Sequence, residues 1–328
     1  MTSLINGQKN STTKEKLPNL VIAGVVKGGT TSIYSYLSLH PEICCSSVKE
    51  TCYFSIYRYG QWDSRYRNTT NPHQQYRQYF AHCENQKYIL EATPGYFEGG
   101  SKLANAIQDC LGNEVKIIIV LRNPIDRFIS FYKYKKSMME IKQTLTIKEY
   151  IEQCQQLPLS EKIKQENDTY WGIEGGFYDL YLPEWFDTFN HNVKVAFFDQ
   201  LKNNPKSLLQ DLCQWLEIDP AIYDTAHLTV ENKSMGYNNK LLQQIALLIN
   251  NSLEKFWRSQ PKLKTNLRNF YYALNGNFYK ENVTDEVLEQ LESIYAPHNK
   301  RLREQLTDRG YTNLPTWLTE NNYIASDK

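Results

Sequence analysis

Short apolar runs, mostly β-branched, recur along the chain between longer stretches whose apolar positions come three or four apart. Leu20–Ala23, Tyr88–Glu91, Asn113–Leu121 and Val193–Phe198 read as strands. The centre of the third, Ile117-Ile-Ile-Val-Leu121, is continuously apolar, as expected of a parallel strand covered on both faces. Helical spacing marks Ser32–Leu39, a stretch opened by Pro124, Asp179–Phe189 and Asn204–Leu216. In the last of these Leu208, Leu209, Leu212, Trp215 and Leu216 share one face behind an Asn-Pro start. Asn238–Asn251 and Thr284–Leu306 are also predicted helical, the latter broken at Pro297. Strands alternating with helices define an α/β class: a parallel β-sheet with helices on both faces, with ligands at the carboxyl ends of the strands.

Other segments lack this periodicity. Residues 1–17 are read as a mobile tail, 18–318 as a single domain and 319–328 as a second tail. The stretch Ser55–Ala81, with Arg58, Arg65 and Arg67, is expected to run over the surface near an acceptor entrance, and Tyr134–Asp168 to form a flexible lid or insertion. The aromatic and basic run from Trp257 through Phe278 could stack on nucleic acid, but a net charge of +1 gives no general field for one, so ordinary packing is expected. No apolar run is long enough to span a bilayer, and no membrane partner is expected. Seven cysteines without paired spacing, and no apolar leader, argue against a disulfide framework and for a cytoplasmic protein. Oligomeric state is left open.

Chemistry enters with Gly24-Val-Val-Lys-Gly-Gly-Thr-Thr31, between the first strand and the first helix. Glycines permit a sharp turn that brings backbone N–H groups close to an anion, and the helix adds the positive end of its dipole. A nucleoside-triphosphate loop reads G-x-x-x-x-G-K-[ST]; here Thr30 stands where the lysine belongs and the lysine is Lys27. The pair that organises a magnesium triphosphate is therefore missing. The loop closely resembles that of the sulfotransferases, which cradles the 5′-phosphosulfate of 3′-phosphoadenosine 5′-phosphosulfate (PAPS). The resemblance implies that Lys27, Gly28, Gly29, Thr30, Thr31 and Ser32 bind this donor.

A second signature follows the apolar strand: Leu121-Arg-Asn-Pro-Ile-Asp-Arg-Phe-Ile-Ser-Phe-Tyr132. It resembles the family's L-R-[DN]-P-x-x-R-x-x-S-x-Y, which implies that Arg122 and Ser130 hold the donor's 3′-phosphate; a guanidinium fork and a hydroxyl suit that task. Arg127 reads as a salt-bridging helix residue. Lys49-Glu-Thr-Cys-Tyr-Phe54 resembles the K-E-x-x-F-F segment of the heparan sulfate relatives, implying Glu50 as general base, since an attacking hydroxyl or amine must lose a proton. By the same resemblance Tyr178 and Lys233 are further donor-site candidates, Tyr178 having an alternative reading as a core residue. No metal is implied.

The resemblance implies transfer of a sulfuryl group from PAPS to a hydroxyl or amine, releasing adenosine 3′,5′-bisphosphate, with Lys27 acting both in binding and in stabilising charge on the leaving phosphate. Family members often read E-K-[ST]-P-x-Y-F where this chain has Glu91-Ala-Thr-Pro-Gly-Tyr-Phe97, and glycosaminoglycan enzymes often carry arginine where Thr31 stands. Two cations suited to a polyanionic glycan are thus replaced by Thr31 and Ala92. A small-molecule acceptor is expected, possible examples being secondary metabolites such as saxitoxin-type alkaloids, with a carbohydrate as the alternative. Outside the family stand a nucleotide-dependent kinase and a silent nucleotide-binding protein.

Overall fold

Five parallel strands form the centre of the molecule: β1 (Leu20–Gly24), β2 (Ile43–Cys45), β3 (Tyr88–Ala92), β4 (Lys116–Leu121) and β5 (Val193–Phe197), in the order β2-β3-β1-β4-β5. The computed structural model describes residues 16–54, 72–162, 164–226, 228, 236–253, 256–257, 261–277, 281 and 283–320. Leu20 of β1 pairs with Leu90 of β3 on one side and Lys116 of β4 on the other. Alternate residues of each strand enter opposite layers. Leu20, Ile22, Ile118 and Val120 pack against α1 (Thr30–Leu37), while Val21, Ala23, Ile117 and Ile119 pack against α3 (Gly100–Leu111), the second helix α2 being Pro72–Arg77. The expected α/β class, with helices on both faces, is the class observed.

The edge strand β2 was not legible: three residues, Ile43-Cys-Cys45, are too few to establish a period. It pairs with Tyr88–Leu90 and holds Cys44, which forms a disulfide with Cys83, Cα atoms 5.7 Å apart. This corrects the expectation of unpaired thiols. The partners lie 39 residues apart in sequence and meet only because β2 lies beside β3, just after Cys83.

Three further expectations change. The stretch after Tyr134 is packed: α4 (Pro124–Ser137) and α5 (Ile147–Gln156) share a core of Phe128, Tyr132, Ile147, Tyr150 and Ile151. Its lysines are pinned, Lys135 by Glu140 and Asp168, Lys136 by Glu281 at 2.6 Å. Residues 55–71, with the three arginines noted above, lie outside the described residues, but Tyr76 and Phe80 beyond them are buried. Beyond α6 (Tyr178–Phe189), α7 (Pro205–Leu216), α8 (Lys240–Ser252) and α9 (Pro261–Asn275) comes α10 (Asp285–Asp308), which runs through Pro297 unbroken. Burial of Leu291, Tyr295, Leu302 and Leu306 along one side outweighs the hydrogen bond that proline cannot donate. Among the described residues no helix is long and apolar enough to cross a membrane.

Candidate active site

The chain leaves β1 at Gly24 and turns across the top of the sheet. Val25 N–H donates to the Val120 carbonyl of β4 at 3.1 Å, and Gly28 N–H to the Val25 carbonyl at 2.9 Å. A Cβ on Gly28 would lie 2.5 Å from the Val120 carbonyl oxygen. Gly29 has φ +93° and caps the start of α1, a backbone conformation that a side chain strains. Thr30 and Ser32 are buried in the first turn and Thr31 is half-buried beside them. The loop thus runs directly into the first turn of α1, the positive end of that helix.

Lys27, also in the left-handed region at φ 67°, places its ammonium 4.8 Å from the centre of the Tyr134 ring on α4. Arg122, the first residue after β4, donates from Nη1 to the Lys27 carbonyl at 3.3 Å and lies over the Phe198 ring at 4.3 Å. Its buried Nε has no hydrogen-bond partner among the described residues. Burial lowers the guanidinium pKa, with Asp126, Tyr178 and Asp199 opposing the shift. The Asn123 side chain accepts from Ile125 N–H and starts α4, two turns along which sits half-buried Ser130.

Tyr178 is buried, and its hydroxyl donates to the Arg122 carbonyl at 2.8 Å. It stands behind Arg122, where it fixes the backbone. Arg127 is also buried, donating to the Gly172 carbonyl. Lys233 lies outside the described residues.

Glu50 sits at φ 62°, its N–H donating to the Ala92 carbonyl at 2.9 Å and its carboxylate accepting from Lys49 at 3.0 Å. The segment is anchored from below by Glu91, a residue that sequence reasoning missed. Fully buried at the end of β3, Glu91 accepts from the hydroxyls of Thr51, Thr93 and Tyr96 on one oxygen and Tyr76 on the other. Burial raises its pKa, the four hydroxyls opposing the shift. A lone acid inside an apolar strand, followed by Thr-Pro-x-Tyr, was the available signal. His40 and His298 are structural, His40 bonding the Asp219 carbonyl and His298 bonding Asp179 at 2.7 Å.

Fold and site define a class: an α/β protein with a glycine loop between β1 and α1 and an arginine from the end of β4 bonded to that loop. A profile of the family described as Sulfotransferase domain matches residues 17–306, and the chain belongs to that family. The chain is 36% identical over 118 residues to the membrane-associated sulfotransferase kil1 of Dictyostelium discoideum, covering 36% of this chain and 23% of that protein. It is 25% identical to the bifunctional heparan sulfate N-deacetylase/N-sulfotransferase 1 of Caenorhabditis elegans, covering 96% of this chain and 32% of that one. The chain thus spans a third or less of the length of these two relatives. It is 24% identical to the human heparan sulfate glucosamine 3-O-sulfotransferase 5, covering 81% and 72%. Among solved structures, a sulfotransferase from Alicyclobacillus acidocaldarius shares the fold, with TM-score 0.53, 22% identity and coverage of 75% of this chain and 96% of that one.

Proposed function

We propose that this chain transfers a sulfuryl group from PAPS to a hydroxyl or amine of a small-molecule acceptor. The observation that carries the reading is Arg122 on the Lys27 carbonyl, because that bond ties the residue suited to a 3′-phosphate to the loop suited to a 5′-phosphosulfate. In the reaction, Glu50 takes the acceptor's proton as the new bond to sulfur forms and the bond from sulfur to the 5′-phosphate oxygen breaks. Lys27 and the loop N–H groups meet the charge that collects on the leaving adenosine 3′,5′-bisphosphate. Ser130 adds a hydroxyl to the 3′-phosphate, with Tyr178 holding Arg122 in place; Lys233 is a further donor contact, and no metal takes part.

Two relatives are named for heparan sulfate. Here Thr31 and Ala92 put no cation at either position, which supports a small acceptor, a saxitoxin-type alkaloid being one to screen, over a sulfated glycan. The Cys44–Cys83 pair fits an oxidising compartment better than the cytoplasm that the cysteine count suggested. The reading is tested by calorimetric titration with adenosine 3′,5′-bisphosphate beside magnesium ATP. Metal-independent binding of the bisphosphate, weakened about tenfold or more in Arg122→Ala, is expected; preference for magnesium ATP would replace this reading with a kinase.

A further inference from the structure

The helices α8 and α9 form a hairpin closed at its base by pairing of Gly236 with Asn277 and Tyr237 with Gly276. Its polar residues turn inward. Gln243 donates to the Ser137 carbonyl at the end of α4 at 2.6 Å, Tyr271 donates to Gln243, and Asn275 donates to the Asn239 carbonyl at 3.1 Å. Its apolar residues turn outward: Leu241, Ile245 and Leu248 on α8, and Leu267, Phe270 and Leu274 on α9, are 44–67% exposed. Their three- and four-residue spacing places each set along one face of its helix. Single exposed leucines are ordinary, but two adjacent apolar faces are an interaction surface. This corrects the expectation that the aromatic and basic run around Phe270 packs into a core.

Charge selects the occupant. Residues 240–277 hold six basic side chains and one acidic, a local +5 in a chain whose total is +1. Lys240 and Lys264 are exposed on the two helices. A second copy would set +5 against +5, whereas a surface both apolar and anionic satisfies both features at once. Basic amphipathic helices with leucine and phenylalanine on the apolar side lie in the plane of a lipid interface, the rings and leucines at the acyl boundary and the cations among the headgroups. We propose that the α8–α9 hairpin is a docking surface for an anionic bilayer. Overall charge concealed it because the excess is confined to the sequence range 240–277. Its inward side is seated on Ser137, one turn beyond the Tyr134 ring that lies under Lys27. The proposal stands on the hairpin alone and goes beyond the transfer reaction.

The test is co-sedimentation of the full chain with vesicles of phosphatidylcholine, and with vesicles in which part of it is replaced by phosphatidylserine, at low and high salt. Binding to the anionic vesicles about tenfold tighter than to the neutral ones, and weakened by salt, is expected. The double substitution Leu248→Glu and Phe270→Glu should lower it about tenfold, and Lys264→Glu should reduce the preference for phosphatidylserine. Titration with adenosine 3′,5′-bisphosphate, unchanged in these variants, shows that they fold; its failure in the parent chain would count against the transfer reading and not against docking. Equal binding to both vesicles, no binding, or a concentration-dependent dimer abolished by the same substitutions would overturn the proposal.

Discussion

The Thr51 hydroxyl donates to the buried Glu91 carboxylate at 2.9 Å, and Thr51 directly follows Glu50. The segment carrying the proposed base is therefore positioned by a second carboxylate that faces away from solvent. Glu91→Ala leaves the hydroxyls of Thr51, Thr93, Tyr76 and Tyr96 without that acceptor and should cost about 3 kcal/mol or more in urea unfolding. Glu91→Gln keeps the shape, and comparing its stability with the parent across pH isolates the titration. Because the folded-state pKa is raised, the native chain holds the proton more tightly than the unfolded one. The contribution is fully present below the ordinary carboxylate value of about 4.3. It is lost as pH rises through the raised value, so the parent should show this extra decline and Glu91→Gln should not.

Glu50→Gln should leave affinity for adenosine 3′,5′-bisphosphate within about threefold while lowering turnover by about 100- to 10,000-fold. The base touches the acceptor and not the nucleotide. Single-turnover assays beside calorimetry check this, and normal turnover would move the base to another residue.

Gly28→Ala should damage donor binding more than Gly29→Ala. At Gly28 the new methyl meets the Val120 carbonyl, which is fixed in the sheet, at 2.5 Å, whereas at Gly29 it meets the Leu201 and Phe198 side chains at 2.8 Å. The second substitution still carries backbone strain of about 1–3 kcal/mol from φ +93°. Melting temperatures and bisphosphate titrations of the two variants test the order.

Reduction of Cys44–Cys83, or the double change to serine, should lower stability by about 4 kcal/mol, the loop-closure entropy for a separation of 39 residues. The melting temperature should fall by several degrees in dithiothreitol. Mass spectrometry after alkylation of the native protein reads the pairing directly.

Four of the five strands, and the loop and strand-end where Lys27 and Arg122 meet, were legible because each rests on a local pattern: an apolar run, a glycine turn, an arginine after a strand. What escaped depends on contacts between distant segments. Glu91 reads as an ordinary acid until Tyr76, Thr51 and Tyr96 arrive around it, and Cys44 reads as a free thiol until β2 settles beside β3. The left-handed backbone at Glu50 has no signal in its residue type. Pro297 shows the converse: a strong local signal overridden by packing along α10.

β1 finds its neighbours late. Leu20 pairs with Leu90 and with Lys116, 70 and 96 positions further along the chain. During synthesis the strand that launches the phosphate loop therefore waits for its first neighbour while 70 more residues emerge, and for its second while 96 do. A fragment ending before Val120 would contain the whole Gly24–Thr31 sequence without the Val120 carbonyl that Val25 needs to shape it. Such non-local pairing slows folding. The capacity to hold a phosphate should accordingly appear in one step, on completion of β4, and a nascent-chain binding series would locate that step.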